Sequence, residues 1–227
     1  MNVKLIGYTQ PAEGLDKELN MESVQDLISF CARVSNPSNQ INMETTEKLL
    51  GYLAKHKHWS PFEMASATLE IETTRDIARQ MLRHRSFAFQ EFSQRYADPA
   101  TLGDQFVTRE ARLQDTKNRQ NSITVEDTKL QQDWEREQKR VIWMAKQVYE
   151  WAIKNGIAKE QARAVLPEGN TKSRLYMQGS IRSWIHFIEL RSGNGTQQEH
   201  IDVALACAEA IAGIFPLVKT YTATPEQ

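Results

Sequence analysis

The chain has little cysteine and no surplus of charge. Its two cysteines in 227 residues, Cys31 and Cys207, each stand alone on apolar stretches, with no Cys or His at metal-ligand spacing. That pattern excludes a disulfide framework and gives no reason to expect a metal, leaving two small buried residues in a reducing compartment. The formal charge is −1, from 28 Lys and Arg against 29 Asp and Glu, so the basic excess usual for nucleic-acid binding is missing. Any anion site must be local. No apolar run approaches membrane-spanning length, and MNVKLIGYT has no secretory hydrophobic region. The expectation is a cytoplasmic protein without a membrane or nucleic-acid partner. The sequence has no internal repeat and no dividing linker, and its length suits one domain.

Periodicity predicts the elements. Residues 3–9 read as a strand, and residues 22–34 and 45–55 as helices. From 64 to 73 apolar Ala65, Ala67, Leu69 and Ile71 alternate with Ser66, Thr68, Glu70 and Glu72, the pattern of a half-buried strand. Thr74 is placed to cap a helix running from 75 towards 85. A polar excursion at about 111–132 precedes a long helix over 134–154, which Asn155-Gly156 should end. A short helix (159–165), a strand (171–178) and helices over 181–190 and 197–215 complete the chain. The fold class is α+β with one core, helices dominant.

Against the neutral background, residues 83–96 read RHRSFAFQEFSQRY. Arg75, Arg79 and Arg83 recur every four residues, a ridge on one helix face, with Gln80, Arg83 and His84 meeting at its last turn. One reading is a solvated face whose cations suit the negative end of the helix dipole. The other is an anion site. Phe87, Phe89 and Phe92 between the polar groups favour a packed segment. If it is extended, Glu91, Ser93 and Arg95 share one side, a set suited to a nucleotide. Arg163 (before Leu166-Pro167), Arg182 and Arg191 each lie beside hydrophobic stretches. Singly, each reads as an ion-pair partner; together they point to an anionic, phosphorylated small molecule. No reaction follows from spacing alone.

Arg83-His84-Arg85, seven residues, Ser93 and then Arg95-Tyr96 resembles the signature of the flavin-dependent thymidylate synthases. His58, Pro61, Phe62 and Glu63 match an upstream element of that family. Ala32 to Ser35, Arg163 before Leu166-Pro167, and the Phe187 to Arg191 run with Gln197 and Glu199 match others. The resemblance covers nearly the whole chain except the polar excursion. It implies an antiparallel sheet packed with long helices, assembled as a homotetramer with sites shared between subunits. Each site would bind FAD and dUMP, with 5,10-methylenetetrahydrofolate as cosubstrate and NADPH as reductant.

By residue, the resemblance implies that Arg191 holds and activates the pyrimidine. Ser93, Gln94, Arg95 and Arg163, with Glu91 and Phe92, would bind the nucleotide, and Gln80 and Arg83 would reach it from a neighbouring subunit. Ser60, Arg83, His84, Arg85, Glu91, Ser180, Ile181, Arg182 and His186 would line the flavin. No cysteine nucleophile is implied, and Ser93 reads as a positioning hydroxyl. The chain departs from the family pattern at Met64, Phe89-Gln90, Gln94, Ser180 and His186.

Overall fold

In a computed structural model of the chain, which describes residues 1–14, 18–19, 21–103 and 105–223, the alternating segments become the middle of one sheet. Strand β1 spans Asn2–Tyr8. Two helices follow, α1 (Val24–Ala32) and α2 (Thr46–Lys55). The first is opened by a capping box in which Ser23 Oγ accepts from Asp26 N–H while Asp26 accepts from Ser23 N–H. Strand β2 (Ser66–Thr74) runs into α3 (Arg75–Met81) without a loop. Then come β3 (Ala88–Glu91), the short pair β4 (Arg112–Gln114) and β5 (Ser122–Thr124), and the long α4 (Thr128–Lys154). A one-turn α5 (Lys159–Ala162) leads to β6 (Lys172–Ser180), α6 (Ile181–Arg191) and α7 (Gln198–Ala212).

The main sheet has the order β1-β2-β6-β3, with each neighbouring pair antiparallel. Leu69, Ile71, Leu175 and Met177 face the helices and are fully buried, against Ile77 and Met81 of α3, Trp184 and Ile188 of α6, and Val203 and Ile211 of α7. The other face is polar. There Tyr176 Oη donates to Glu70 at 3.0 Å and Arg174 pairs with Glu72. The two-residue alternation of β2 thus separates the apolar layer from the polar one.

Three sequence expectations change. The polar stretch is not one excursion: it forms the β4–β5 hairpin, and α4 starts at Thr128, capped by Asp127, six residues ahead of Trp134. The capping aspartate, not hydrophobicity, sets that boundary. Helix α3 stops at Met81 rather than continuing towards Arg85, and residues 82–87 turn back on it. Residues 88–91, left without an assigned element in the sequence, pair with β6 as an edge strand, after which 94–96 form a turn. Glu91, Ser93 and Arg95 therefore do not share one extended face.

The early end of α3 has a packing cause. Phe87 lies over Gly179 of β6 and edge-on to Trp184, with ring centroids 4.8 Å apart. A Cβ at Gly179 would sit 2.4 Å from the Phe87 ring. The absence of a side chain there lets the Arg83–Phe87 turn close on the sheet. Gly179→Ala should lower stability by about 1–3 kcal/mol through overpacking, readable as a lower denaturation midpoint. Phe87→Leu in the same background should recover part of the loss; a variant as stable as the parent would contradict this account.

Candidate functional site

Two helix ends converge beside this turn. His84 follows α3, with its N–H bonded to Met81 O at 2.9 Å, and Arg191 is the last residue of α6. Arg191 Nε–H donates to His84 Nε2 at 2.9 Å. The imidazole packs edge-on to Phe187 one turn earlier on α6, centroids 5.0 Å apart. Burial, then the Arg191 charge, lowers the His84 pKa to about 4, so the ring is neutral and free to accept. Arg191 itself lies below the usual arginine range because it is partly buried and Arg83 is close by.

Gln80 closes this group. Its Nε2 donates to Gln197 Oε1 at 2.9 Å, and its Oε1 lies 3.1 Å from His200 Nδ1. His200 is fully buried, and its Nε2 has no partner. Its pKa is lowered to about 3 by burial, then by Arg191 and His84. Sequence reasoning singled out Gln197 and Glu199 only as motif matches and missed His200. The sole signal for His200 was a histidine at the start of an otherwise apolar helix.

A second group joins the 60–63 turn to the start of α6. Ser180 caps α6, its Oγ accepting from Ser183 N–H at 3.2 Å. Arg182 donates to Glu63 at 2.7 Å, and His186 stands edge-on to Trp59, centroids 4.8 Å apart. A hydrogen bond from Ser180, and after it Arg182, holds Glu63 below the usual carboxylate range against its partial burial. Ser60 opens the same turn. Ile181 offers this site little, since its side chain is fully buried and its N–H bonds Ala65 O.

The third group is separate in contact. Ser93 Oγ accepts from Arg95 N–H at 3.4 Å, and Arg95 Nε stands 3.8 Å from Glu160 on α5. Arg163 donates to the Glu160 carbonyl at 3.3 Å, so α5 brings Arg95 and Arg163 to one place. Gln94 is 3% exposed and its Nε2 has no partner. Phe92 N–H donates to Arg174 O at 2.8 Å. Glu91 turns inward, accepting from Ser173 at 2.9 Å and facing Arg75 at 3.6 Å.

The arginine ridge divides accordingly. Arg75 and Arg79 both face Glu168, Arg79 at 2.7 Å, while Arg109 takes Asp76 and Arg182 takes Glu63. Arg182 is the ion-pair partner its plainer reading made it; the ridge is not simply a solvated face, since Arg75 is buried in its pair while Arg79 stays exposed. Among the described residues Arg83, Arg85, Arg163 and Arg191 have no carboxylate partner within salt-bridge distance. Of these, Arg83 lies close enough to Arg191 to lower its pKa. Two nearby cations, one of them held only by a neutral imidazole, form a strong local attraction for an anion.

An α+β layer carrying uncompensated arginines at two helix ends presents a local site suited to an anion. Residues 19–217 match the family described as Thymidylate synthase complementing protein. A protein of Synechocystis named "Flavin-dependent thymidylate synthase" is 47% identical over 219 residues, covering 96% of this chain and 97% of its own. A protein of Paramecium bursaria Chlorella virus 1 named "Probable flavin-dependent thymidylate synthase" is 49% identical over equal spans of both chains. Among solved structures, a UMP/dUMP methylase PolB from Streptomyces cacaoi bound with 5-Br dUMP superposes with TM-score 0.79 at 27% identity, covering 97% of this chain and 93% of that one. The chain belongs to the flavin-dependent thymidylate synthase family.

The neutral state of His84 has a consequence for stability. The ring binds a proton more weakly when folded, near 4, than at its ordinary 6.5. The unfolded chain therefore holds more protons between those values, and stability should fall as pH drops from 6.5 towards 4. His84→Gln, which keeps an acceptor for Arg191 and does not titrate, should flatten that slope. Denaturation midpoints at pH 4.5 and 7.5 measure it, and equal slopes in both proteins would count against the assignment.

Proposed function

We propose that the protein methylates dUMP to dTMP reductively, with FAD as cofactor, 5,10-methylenetetrahydrofolate as carbon donor and NADPH as reductant. The observation carrying this reading is the guanidinium of Arg191, half-buried, held by a neutral imidazole and next to Arg83. A guanidinium not neutralised by a carboxylate can bind the N3/O2 edge of uracil as negative charge builds on the ring. Low local polarity strengthens that interaction. The donor set also fits FAD: Arg83 and Arg85, without carboxylate partners, suit its phosphates, and Ser60, Ser180 and His186 line an adjacent wall. When bound, the flavin supplies the redox chemistry of the transfer. Arg182 would bind it only by sharing or leaving Glu63. Ser93 serves as a positioning hydroxyl, since among the described residues its side chain's one hydrogen bond is to the backbone N–H of Arg95, with no base against it.

The same reading makes the site shared within a homotetramer in the cytoplasm. The resemblance set Gln80 and Arg83 on a subunit apart from Arg191, but within one chain Arg83 lies beside Arg191 and Gln80 meets His200. This reading therefore makes Arg191, Arg83 and Gln80 one half, and Ser93, Arg95 and Arg163 the other, supplied by a neighbouring chain. Support for an assembly comes from α4. Trp134, Val141, Met144, Val148 and Trp151 follow one another at spacings of seven, three, four and three residues along it, and Trp134 and Trp151 are 46% and 60% exposed. An exposed heptad-like stripe, little covered among the described residues, is what helix pairing between copies would bury.

Anaerobic turnover of dUMP with the folate and NADPH tests the activity, with UMP and dCMP in parallel, and an absorbance spectrum after FAD incubation tests the cofactor. No dTMP and a flat trace in the flavin bands would overturn the proposal. Arg191→Ala should cut kcat by about 10²–10³ with an unchanged denaturation midpoint. Near-normal turnover at saturating dUMP would contradict its role.

Sharing makes a sharper claim. Because Arg83 and Arg191 sit in the same half, mixing those two variants should restore nothing. Arg191→Ala mixed with Arg163→Ala, after mild dissociation and reassembly, should regenerate about a quarter of the sites intact. A fully active monomer by light scattering would rule sharing out.

A further inference from the structure

A line of polar contacts runs from the β4–β5 hairpin into the nucleotide half-site. Arg112, first residue of β4, donates through Nη2 to Glu199 Oε1 at 2.5 Å. Glu199 Oε2 accepts from Gln197 Nε2 at 2.9 Å. Gln197 Oε1 accepts from Gln80 Nε2 at 2.9 Å, and Gln80 Oε1 meets His200 Nδ1 at 3.1 Å. Five side chains from the hairpin, α3 and the start of α7 are joined end to end.

Such a line has a direction. An amide side chain can present either its oxygen or its NH₂ to a given neighbour, and the two are nearly isosteric. A carboxylate can only accept. Glu199 is therefore the member that cannot be reversed, and it forces Gln197 to turn its NH₂ towards it. Gln197 must then offer its oxygen to Gln80, Gln80 its NH₂ to Gln197, and Gln80 its oxygen to Nδ1–H of His200. The buried His200 Nε2, without a partner among the described residues, is the nitrogen left bare by that tautomer. Burial raises the Glu199 carboxyl, but Arg112, the backbone and Gln197 outweigh it and hold the group ionised. Gln80 is left with one N–H and one oxygen lone pair in fixed places.

We propose that the Arg112–Glu199 ion pair sets the donor–acceptor orientation of Gln80, which makes both of them positioning residues for nucleotide binding. The inference rests on the reading of Gln80 as a nucleotide contact. It assigns a role to the hairpin, which lies in the stretch outside the family motifs. A neutral Glu199→Gln can donate as well as accept, so it would release the direction of the line without changing its shape.

The test uses the FAD-loaded enzyme, dUMP titration by calorimetry and ¹⁵N-histidine NMR. The parent should show His200 protonated at Nδ1 only. Glu199→Gln should show a mixture of tautomers; it and Arg112→Ala, which removes the partner that holds Glu199 in place and ionised, should bind dUMP on the order of tenfold more weakly, the loss expected for one hydrogen bond. KM should rise while kcat stays within about twofold. Arg112→Lys, which keeps the charge, should recover most of the affinity and guards against misfolding of the alanine variant. In a Gln80→Ala background, Glu199→Gln should add no further loss. Unchanged His200 nitrogen shifts in Glu199→Gln would overturn the proposal, as would an equal loss of affinity with or without Gln80. A Gln80→Ala enzyme with full dUMP affinity would remove Gln80 from the nucleotide and end the positioning role, while dUMP turnover by the parent would still stand.

Discussion

The hydrogen bond from Arg191 to His84 is the interaction on which the candidate site depends. A carboxylate in place of the imidazole would hold the guanidinium more strongly and cancel its charge. A neutral ring holds it and leaves the charge available. That outcome needs the ring buried, and burial needs the 82–87 turn to close over the sheet. Closure in turn needs the bare backbone of Gly179 under Phe87. A packing contact between two apolar groups thereby decides the electrostatics of an arginine.

The remaining arginines clarify the contrast. Arg75 is buried at the start of α3, where it faces Glu91 and Glu168 and ties β3 and the 166–171 loop to the sheet. Arg109 with Asp76, and Arg174 with Glu72, fasten other edges of the same sheet. Arg75 and Arg109, the most buried of these, are structural, because removing either carboxylate partner would leave an unpaired charge in a poorly solvated place. Among the described residues six arginines meet no carboxylate: Arg33 and Arg119 lie elsewhere, while Arg83, Arg85, Arg163 and Arg191 lie near the ends of α3 and α6 and beside α5.

Two surfaces of the molecule are unfinished in the same sense. The half-site around Arg191 and the group around Arg95 and Arg163 have no hydrogen bond joining them among the described residues, and α4 displays a tryptophan-bearing stripe to solvent. Both are intelligible together if neighbouring copies meet, one contact burying apolar area and the other completing a ligand site.

Local order was legible from the residues themselves. The alternation of 64–73, the helical periods around 22–34, 45–55 and 181–190, and the Asn155-Gly156 stop all depend on neighbours within a turn or a strand, so the sequence alone determined them. The family signature was legible for the same reason: its residues are close in the chain. Tertiary structure decided the rest. It cut α3 short at Met81, turned Glu91 inward to Arg75 and Ser173, and recast a polar stretch as a hairpin whose Arg112 reaches Glu199, 87 positions away. It also chose which arginines would be neutralised. Charge compensation and burial are set by residues far apart in sequence that packing brings within a few ångströms, and no local pattern records which pairs those will be.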